Sequence, residues 1–270
     1  MAIEIGYLGV YLLLGTLVGF MAGLLGVGGG GILVPLLVSL FNYQGIGGDK
    51  VLPMALATAL ASMIITAAAS TRAHAARGLV AWPIVRSMAP GIVLGAAFTS
   101  IIAGRLNSTY IAVFFVVFMA MVSVQMLVNW QPRASAKPAG AAGLFLVGGG
   151  IGAVSALAAV GGGFLAIAYM TYKKVEIKKA IGSSAAIGLA IAIAGTLGYM
   201  FSGWSVELKG SYTLGFVYLP AFFLIATSSL LAAPYGARWA QRLPGSHLRK
   251  IFALVSMALS VKMLLSIYSG

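Results

Sequence analysis

Two clusters of glycine carry the strongest chemical signal in this sequence: GVGGGG at Gly26–Gly31 and VGGG at Val160–Gly163, each inside an apolar run. Each glycine weakens a helix by ~1 kcal/mol, so three or more in succession should open one. An open backbone at membrane depth must be buried in protein or line a wet cavity. The short apolar segments that follow would then begin as half-helices, with free N–H groups and the positive dipole end at the break. That is the chemistry of an anion cradle. Gly28, Gly29 and Gly30, with Gly161, Gly162 and Gly163, are the expected binding backbone; Gly29 and Gly162 stand at its centre. No Gly-Lys-Ser/Thr follows either cluster, which excludes a Walker loop. Close helix packing is the competing use of such glycines, and it suits Gly15, Gly19, Gly23, Gly91 and Gly95.

Other side chains could join this backbone. Thr58, Ser183 and Ser184 sit in apolar segments, where a hydroxyl either donates to an oxyanion or bonds its own helix. His74, between Arg72 and Arg77, could meet a substrate or sense pH, because an imidazole titrates near neutrality; as a solvated loop residue it would do neither. His247 has the same two readings with less support. Arg86 and Lys262 are the bases inside predicted spans, where a charge is expensive unless it functions or snorkels to the interface. These four sites complete the candidate set: Thr58 with Ser183 and Ser184, His74, Arg86 and Lys262.

All four acids (Glu4, Asp49, Glu176 and Glu207) fall in loops or near a terminus. No buried carboxylate is offered to relay protons or bind sodium. No metal cluster, nucleophile–base pair or cofactor fingerprint is present, so neither an enzyme nor a bound cofactor is expected. Cysteine is absent, which excludes disulfides.

The elements that must position these residues are membrane helices. Of 270 residues, 61% are hydrophobic and 8% charged, against roughly 25% charged in a soluble domain. Lipid must be the main solvent, and the bilayer is the expected partner. The net charge of +13 sits mostly in short loops, as topology signals do. It does not cluster with exposed aromatics as nucleic-acid binding would require. The N-terminus lacks the basic stretch of a cleaved signal peptide and reads as mature sequence. Apolar segments cover about 5–25, 32–40, 51–70, 79–103 and 110–128, then 139–160, 164–172, 180–201, 212–234 and 248–268. Between the halves, NWQPRASAKP reads as a linker. The expected organisation is a first membrane repeat at 1–128, a linker at 129–138 and a second membrane repeat at 139–270.

The halves resemble each other in order. Gly15–Gly30 aligns on Gly148–Gly163 with seven of 16 positions identical. ALATA at Ala55–Ala59 parallels AIGSS at Ala180–Ser184. Gly78, Val80 and Pro83 match Gly215, Val217 and Pro220, and Ser123 and Met126 match Ser260 and Met263. Duplication explains these recurrences better than biased composition. Two arrangements follow. Four full spans per half would make the repeats parallel and divide the loop Lys and Arg ten against five. If each glycine-broken segment is instead a re-entrant hairpin, three spans per half remain and the repeats are inverted. Loops 71–78, 129–138, 173–179 and 236–250 then share a side carrying twelve bases, against three opposite. The positive-inside rule prefers the sharper division. The expected fold is therefore all-α and integral to the membrane. It has two homologous, inverted repeats whose glycine-broken or re-entrant helices meet near the midplane.

In its glycine clusters the chain resembles the sulfite exporter TauE/SafE family, small duplicated permeases of bacteria and archaea. The resemblance extends through GFMAGLLGVGGGGILVPLL, ALATAL, HAARGLVAW, SALAAVGGGFLAIAYM and LPAFFLIATSSLLAAPYGARWAQRL, and covers nearly the whole chain. One departure stands at Ala168–Tyr169, where the family's second glycine motif usually carries a proline. The shape of that half-helix is left open. The resemblance implies a multi-pass protein of the cell (inner) membrane that transports a small sulfur-containing anion: sulfite, sulfoacetate, another organosulfonate or thiosulfate. A homodimer is left open.

A secondary carrier or facilitator exporting such an anion is the expected function. Each negative charge leaving an inside-negative cell gains about 2.3 kcal/mol per 100 mV, so export needs no coupling carboxylate. The alternatives are proton-coupled uptake of an organosulfonate or thiosulfate, and a non-transporting membrane scaffold.

Overall fold

The computed structural model describes residues 5–25, 29–128, 140–206, 212–240 and 245–268. The proposed linker and Gly28 lie outside the described residues. The described chain is helical almost throughout. Helices α1 (Ile5–Leu25), α2 (Gly30–Tyr43), α3 (Val51–Ala76), α4 (Trp82–Arg105) and α5 (Ser108–Val128) form the first half. Helices α6 (Ala141–Ala158), α7 (Gly163–Tyr172), α8 (Ile177–Ser202), α9 (Leu219–Ala240) and α10 (Gly245–Tyr268) form the second. Among the described residues, seven helices are long and apolar enough to cross a membrane: α1, α3, α4, α5, α6, α8 and α9. The protein is thus an all-helical, multi-pass membrane protein.

Large apolar side chains such as Leu13, Phe98, Leu146 and Leu231 face outward. With lipid as solvent that exposure is stabilising, and polarity gathers inside instead. The central helices α3 and α8 pack on each other, and α1 runs along α9 as α6 runs along α4. Glycine makes the last two pairings close. At Gly15 and Gly19 the backbones of Ile225 and Ser229 leave no space for a Cβ; at Gly148 and Gly152 those of Met88 and Ile92 leave none. Here the packing use of glycine holds, as it does for Gly23 against Ala233 and Gly91 against Phe145.

Both glycine clusters do interrupt helices. The first separates α1 from α2, whose N-terminus has no side-chain cap. The second lies between α6 and α7, also uncapped; Gly162 there takes φ 64°, a left-handed conformation that a Cβ would strain. Ala159 also turns left-handed, at φ 45°. Its carbonyl lies directly against Gly30, so the two breaks touch. Each break is the tip of a hairpin. Tyr11 donates to Gln44 Oε1 at 2.8 Å, tying the start of α1 to the end of α2. Helix α7 is a regular ten-residue helix without a proline, whereas α2 carries Pro35 within its 14 residues.

Side-chain bonds sort the connections to two ends. Lys50 Nζ donates to the carbonyls of Gly104 and Leu106 at 3.1 and 3.2 Å. Gly104 in turn meets Ser202 and Phe216, placing these connections together. At the other end the Ala81 N–H reaches Ser183 Oγ, and Gly182 packs on Leu79 and His74. One element departs from the sequence reading: residues 212–218 do not begin a span but form a short antiparallel hairpin, Thr213–Leu214 with Val217–Tyr218, turning at Gly215.

Candidate functional site

A cavity of about 450 Å³ opens at the His74 end of the bundle. Its walls come from the end of α1 (Ala22, Gly23), the second half of α3, the start of α8 and the end of α9, and its floor is the α6–α7 break at Gly161 and Gly163. Small residues along α3 and α8 leave the space. Its polar lining is Thr66, Ser70, His74, Arg77, Ser184 and Arg238. The imidazole Nδ1 of His74 is buried with no hydrogen-bond partner. Arg77 closes α3 and Arg238 is in the last turn of α9, so both guanidinium groups stand at the mouth. Arg238 stacks beside Tyr235, 5.9 Å from the ring centroid. A second cavity of about 20 Å³ adjoins the first through Met63 and Thr66 and reaches Gly29. It has room for about one water.

The sequence-derived candidates divide accordingly. Gly161, Gly163, Ser184 and His74 line the large cavity and Gly29 the small one, while Gly30 is packed against Ala159. Gly162 faces Ile187 and Ile191 of α8 rather than the space. Thr58 and Ser183 are fully buried and committed. Thr58 donates to the Met54 carbonyl and accepts from the Tyr218 N–H; Ser183 donates to the Lys179 carbonyl and accepts from the Ala81 N–H. Arg86 and Lys262 are exposed on the outside of the bundle, away from the lining. His247 is in α10, and its side chain is not among those described.

Arg77 and Arg238 were legible only as loop charges. The signal that unites them with His74 is topological: loops 71–78 and 236–250 fall on one side when the glycine segments are hairpins. Among the described residues no cluster of His, Asp and Glu could hold a metal ion.

A lipid-facing bundle of this kind, with broken helices meeting inside it and a cavity reaching the break from one end, defines a multi-pass membrane transport protein. The chain belongs to the sulfite exporter TauE/SafE family, whose model matches residues 11–263. It is 34% identical over 255 residues to a probable membrane transporter protein of Haemophilus influenzae, covering 94% of this chain and 97% of that one. A probable membrane transporter protein of Methanocaldococcus jannaschii is 24% identical over 259 residues, covering 94% of each. No solved structure matches it.

Proposed function

We propose that this transporter carries a small sulfur oxyanion, sulfite or an organosulfonate, outward across an inside-negative membrane. The observation that carries the reading is the cavity itself. An open glycine backbone at its floor offers N–H donors, and His74, Arg77 and Arg238 bring donors and positive charge around its rim. Water-excluding walls strengthen those interactions. The family name points to the same ligand chemistry. The described acids Asp49 and Glu176 are in connections outside the lining, so among the described residues no carboxylate opposes the anion.

Inverted repeats fit the packing. Gly15 on Ile225 corresponds to Gly148 on Met88, Gly19 on Ser229 to Gly152 on Ile92, and the Thr58–Tyr218 bond to the Ser183–Ala81 bond. Each pair exchanges the halves. The described connections agree with the hairpin arrangement: Lys50 meets Gly104 and Leu106, and Leu79 meets Gly182. In that arrangement the loop charges divide twelve against three, and the open cavity faces the basic, inner side.

One observation favours proton-coupled uptake instead: the imidazole of His74 has an unpartnered buried nitrogen beside the cavity. Binding of sulfite, sulfate, thiosulfate, sulfoacetate and taurine to purified protein, read by thermal shift, tests the ligand class. Selective stabilisation by sulfite or the sulfonates supports the proposal; stabilisation by none of the five defeats it.

A further inference from the structure

Buried hydroxyls without partners are the least explained feature of the interior. Ser155, Thr196 and Tyr199 are at most 5% exposed, and none of their hydroxyl oxygens has a hydrogen-bond partner; Ser202 Oγ is buried and unpartnered as well. Four such groups in one region call for an occupant, because an orphaned buried donor costs about as much as a lost hydrogen bond.

Their positions follow a rule. Carrying the ALATA/AIGSS register along α3 and α8 pairs Thr71 with Thr196, His74 with Tyr199 and Arg77 with Ser202. The glycine register of α1 and α6 pairs Ala22 with Ser155. His74, Arg77 and Ala22 line the open cavity. Ser155, Tyr199 and Ser202 therefore occupy the same places in the other half, toward the Lys50 end, and Thr196 is one turn before Tyr199 on α8.

The walls there are shut. Ser70, Ala73, Gly23, Ala185 and Pro234 stand apart around the open cavity. Their counterparts Gly195, Gly198, Ala156, Leu60 and Ala97 close on one another. A Cβ built on Gly195 would stand 2.9 Å from Leu60 Cδ1 and 3.6 Å from Ala156 Cβ, and one on Gly198 2.7 Å from the Ala97 carbonyl oxygen.

We infer that Ser155, Thr196, Tyr199 and Ser202 are the anion-binding lining of a second vestibule, closed in this conformation and opening toward the Lys50 end when the first one shuts. The inference rests on the inverted-repeat transporter reading above. It adds a chemical asymmetry. The open cavity offers His74, Arg77 and Arg238, whereas the closed one offers neutral hydroxyl donors, which hold an anion less strongly than charged donors. Half-saturation for the anion is therefore higher from the Lys50 side. The asymmetry sets affinity on each face and leaves net direction to the gradient and the potential.

The test uses the full chain, which has no cysteine of its own, with sulfite as the probe of flux and sulfoacetate as the probe during labelling. Thr196→Cys and Ser202→Cys are made singly, with Ala73→Cys as the marker of the open cavity, and reconstituted in proteoliposomes. An impermeant maleimide applied at the Lys50 face should label Thr196→Cys and Ser202→Cys, faster during sulfoacetate turnover, while Ala73→Cys reacts from the opposite face; sulfite is kept out of the labelling step because it adds to maleimides itself. Tyr199→Phe should raise half-saturation from the Lys50 face about tenfold and leave the opposite face unchanged. Sulfite flux with neither cysteine ever reached from the Lys50 face overturns the vestibule, as does a Tyr199→Phe effect equal on both faces. Labelling from that face without sulfite flux upholds the vestibule and removes the substrate reading instead.

Discussion

Ser183 on α8 accepts the backbone N–H of Ala81, at 2.8 Å, across the boundary between the two halves of the chain. Thr58 on α3 does the same for Tyr218, at 3.0 Å. Ala81 is the N-cap of α4, and Tyr218 immediately precedes α9. Each central helix thus anchors the start of a helix from the other half through a hydroxyl. These bonds give a structural task to two hydroxyls that the sequence also offered to a substrate.

Removing either hydroxyl should cost stability and spare binding. Thr58→Val keeps the side-chain shape and leaves the buried Tyr218 N–H without its partner, a loss of about 1–3 kcal/mol. Ser183→Ala should act alike on Ala81. Thermal unfolding in detergent, with sulfite affinity measured on the surviving folded protein, checks this. A loss of affinity without a loss of stability would return both residues to the ligand.

The glycines separate in the same way, now by position within the break. Gly161 lines the cavity, and a Cβ there would press on the flexible tip of Met63. Gly162 is left-handed, and a Cβ would overlap Ile191. Gly161→Ala should therefore fold and weaken sulfite binding by about tenfold, or 1.4 kcal/mol. Gly162→Ala should lower the melting temperature first. Normal affinity in folded Gly161→Ala would show that the floor of the cavity does not touch the anion.

The glycine breaks, the helical class and the order of the segments were legible because they rest on local chemistry: helix propensity, apolar length and loop charge. Which hydroxyls anchor the opposite half was not. Thr58, Ser183 and Ser184 look equivalent in sequence, and only packing of the opposite half distinguishes two anchoring residues from one that lines the cavity. Arg77 and Arg238 were hidden differently, since their charges resemble ordinary topology signals until three helix ends converge. The hairpin at 212–218 escaped because its two-residue strands are too short to show a period.

Topology is directly measurable on the cysteine-free background. Single cysteines at Ala75 and Gly47 lie at opposite ends of α3. With inverted repeats and basic loops inside, an impermeant maleimide should label Gly47→Cys in intact cells and not Ala75→Cys. The reverse pattern would eliminate that orientation and place the open cavity outside.

The rim arginines should act through charge. Arg77→Gln and Arg238→Gln each remove a cation from the cavity mouth, where the anion would first be drawn in. Sulfite affinity should fall severalfold in each, and its dependence on ionic strength should flatten because a screened attraction has been lost. Arg86→Gln and Lys262→Gln, at exposed positions outside the lining, should leave both unchanged. Equal losses in all four variants would mean that net charge rather than the cavity governs the anion.

Electrogenicity separates the two transport readings at His74. If the potential drives export, each net negative charge moved couples to the voltage with about 2.3 kcal/mol per 100 mV. Reconstituted flux of sulfite should then accelerate when a potassium–valinomycin potential makes the His74 side negative, and reverse with the sign of the potential. His74→Ala should keep that response, with lower affinity because one donor has left the rim. Proton-coupled uptake predicts another pattern. An imidazole that carries the coupled proton makes the movement of one monoanion with one proton electroneutral, so flux would follow a pH gradient and ignore the voltage. Both that coupling and net accumulation would disappear in His74→Ala. Because His74 is half-buried and its Nδ1 has no partner, the alanine leaves no orphaned group behind and need not unfold the protein. A voltage-insensitive, pH-driven flux abolished by this substitution would replace the export reading with the coupled one.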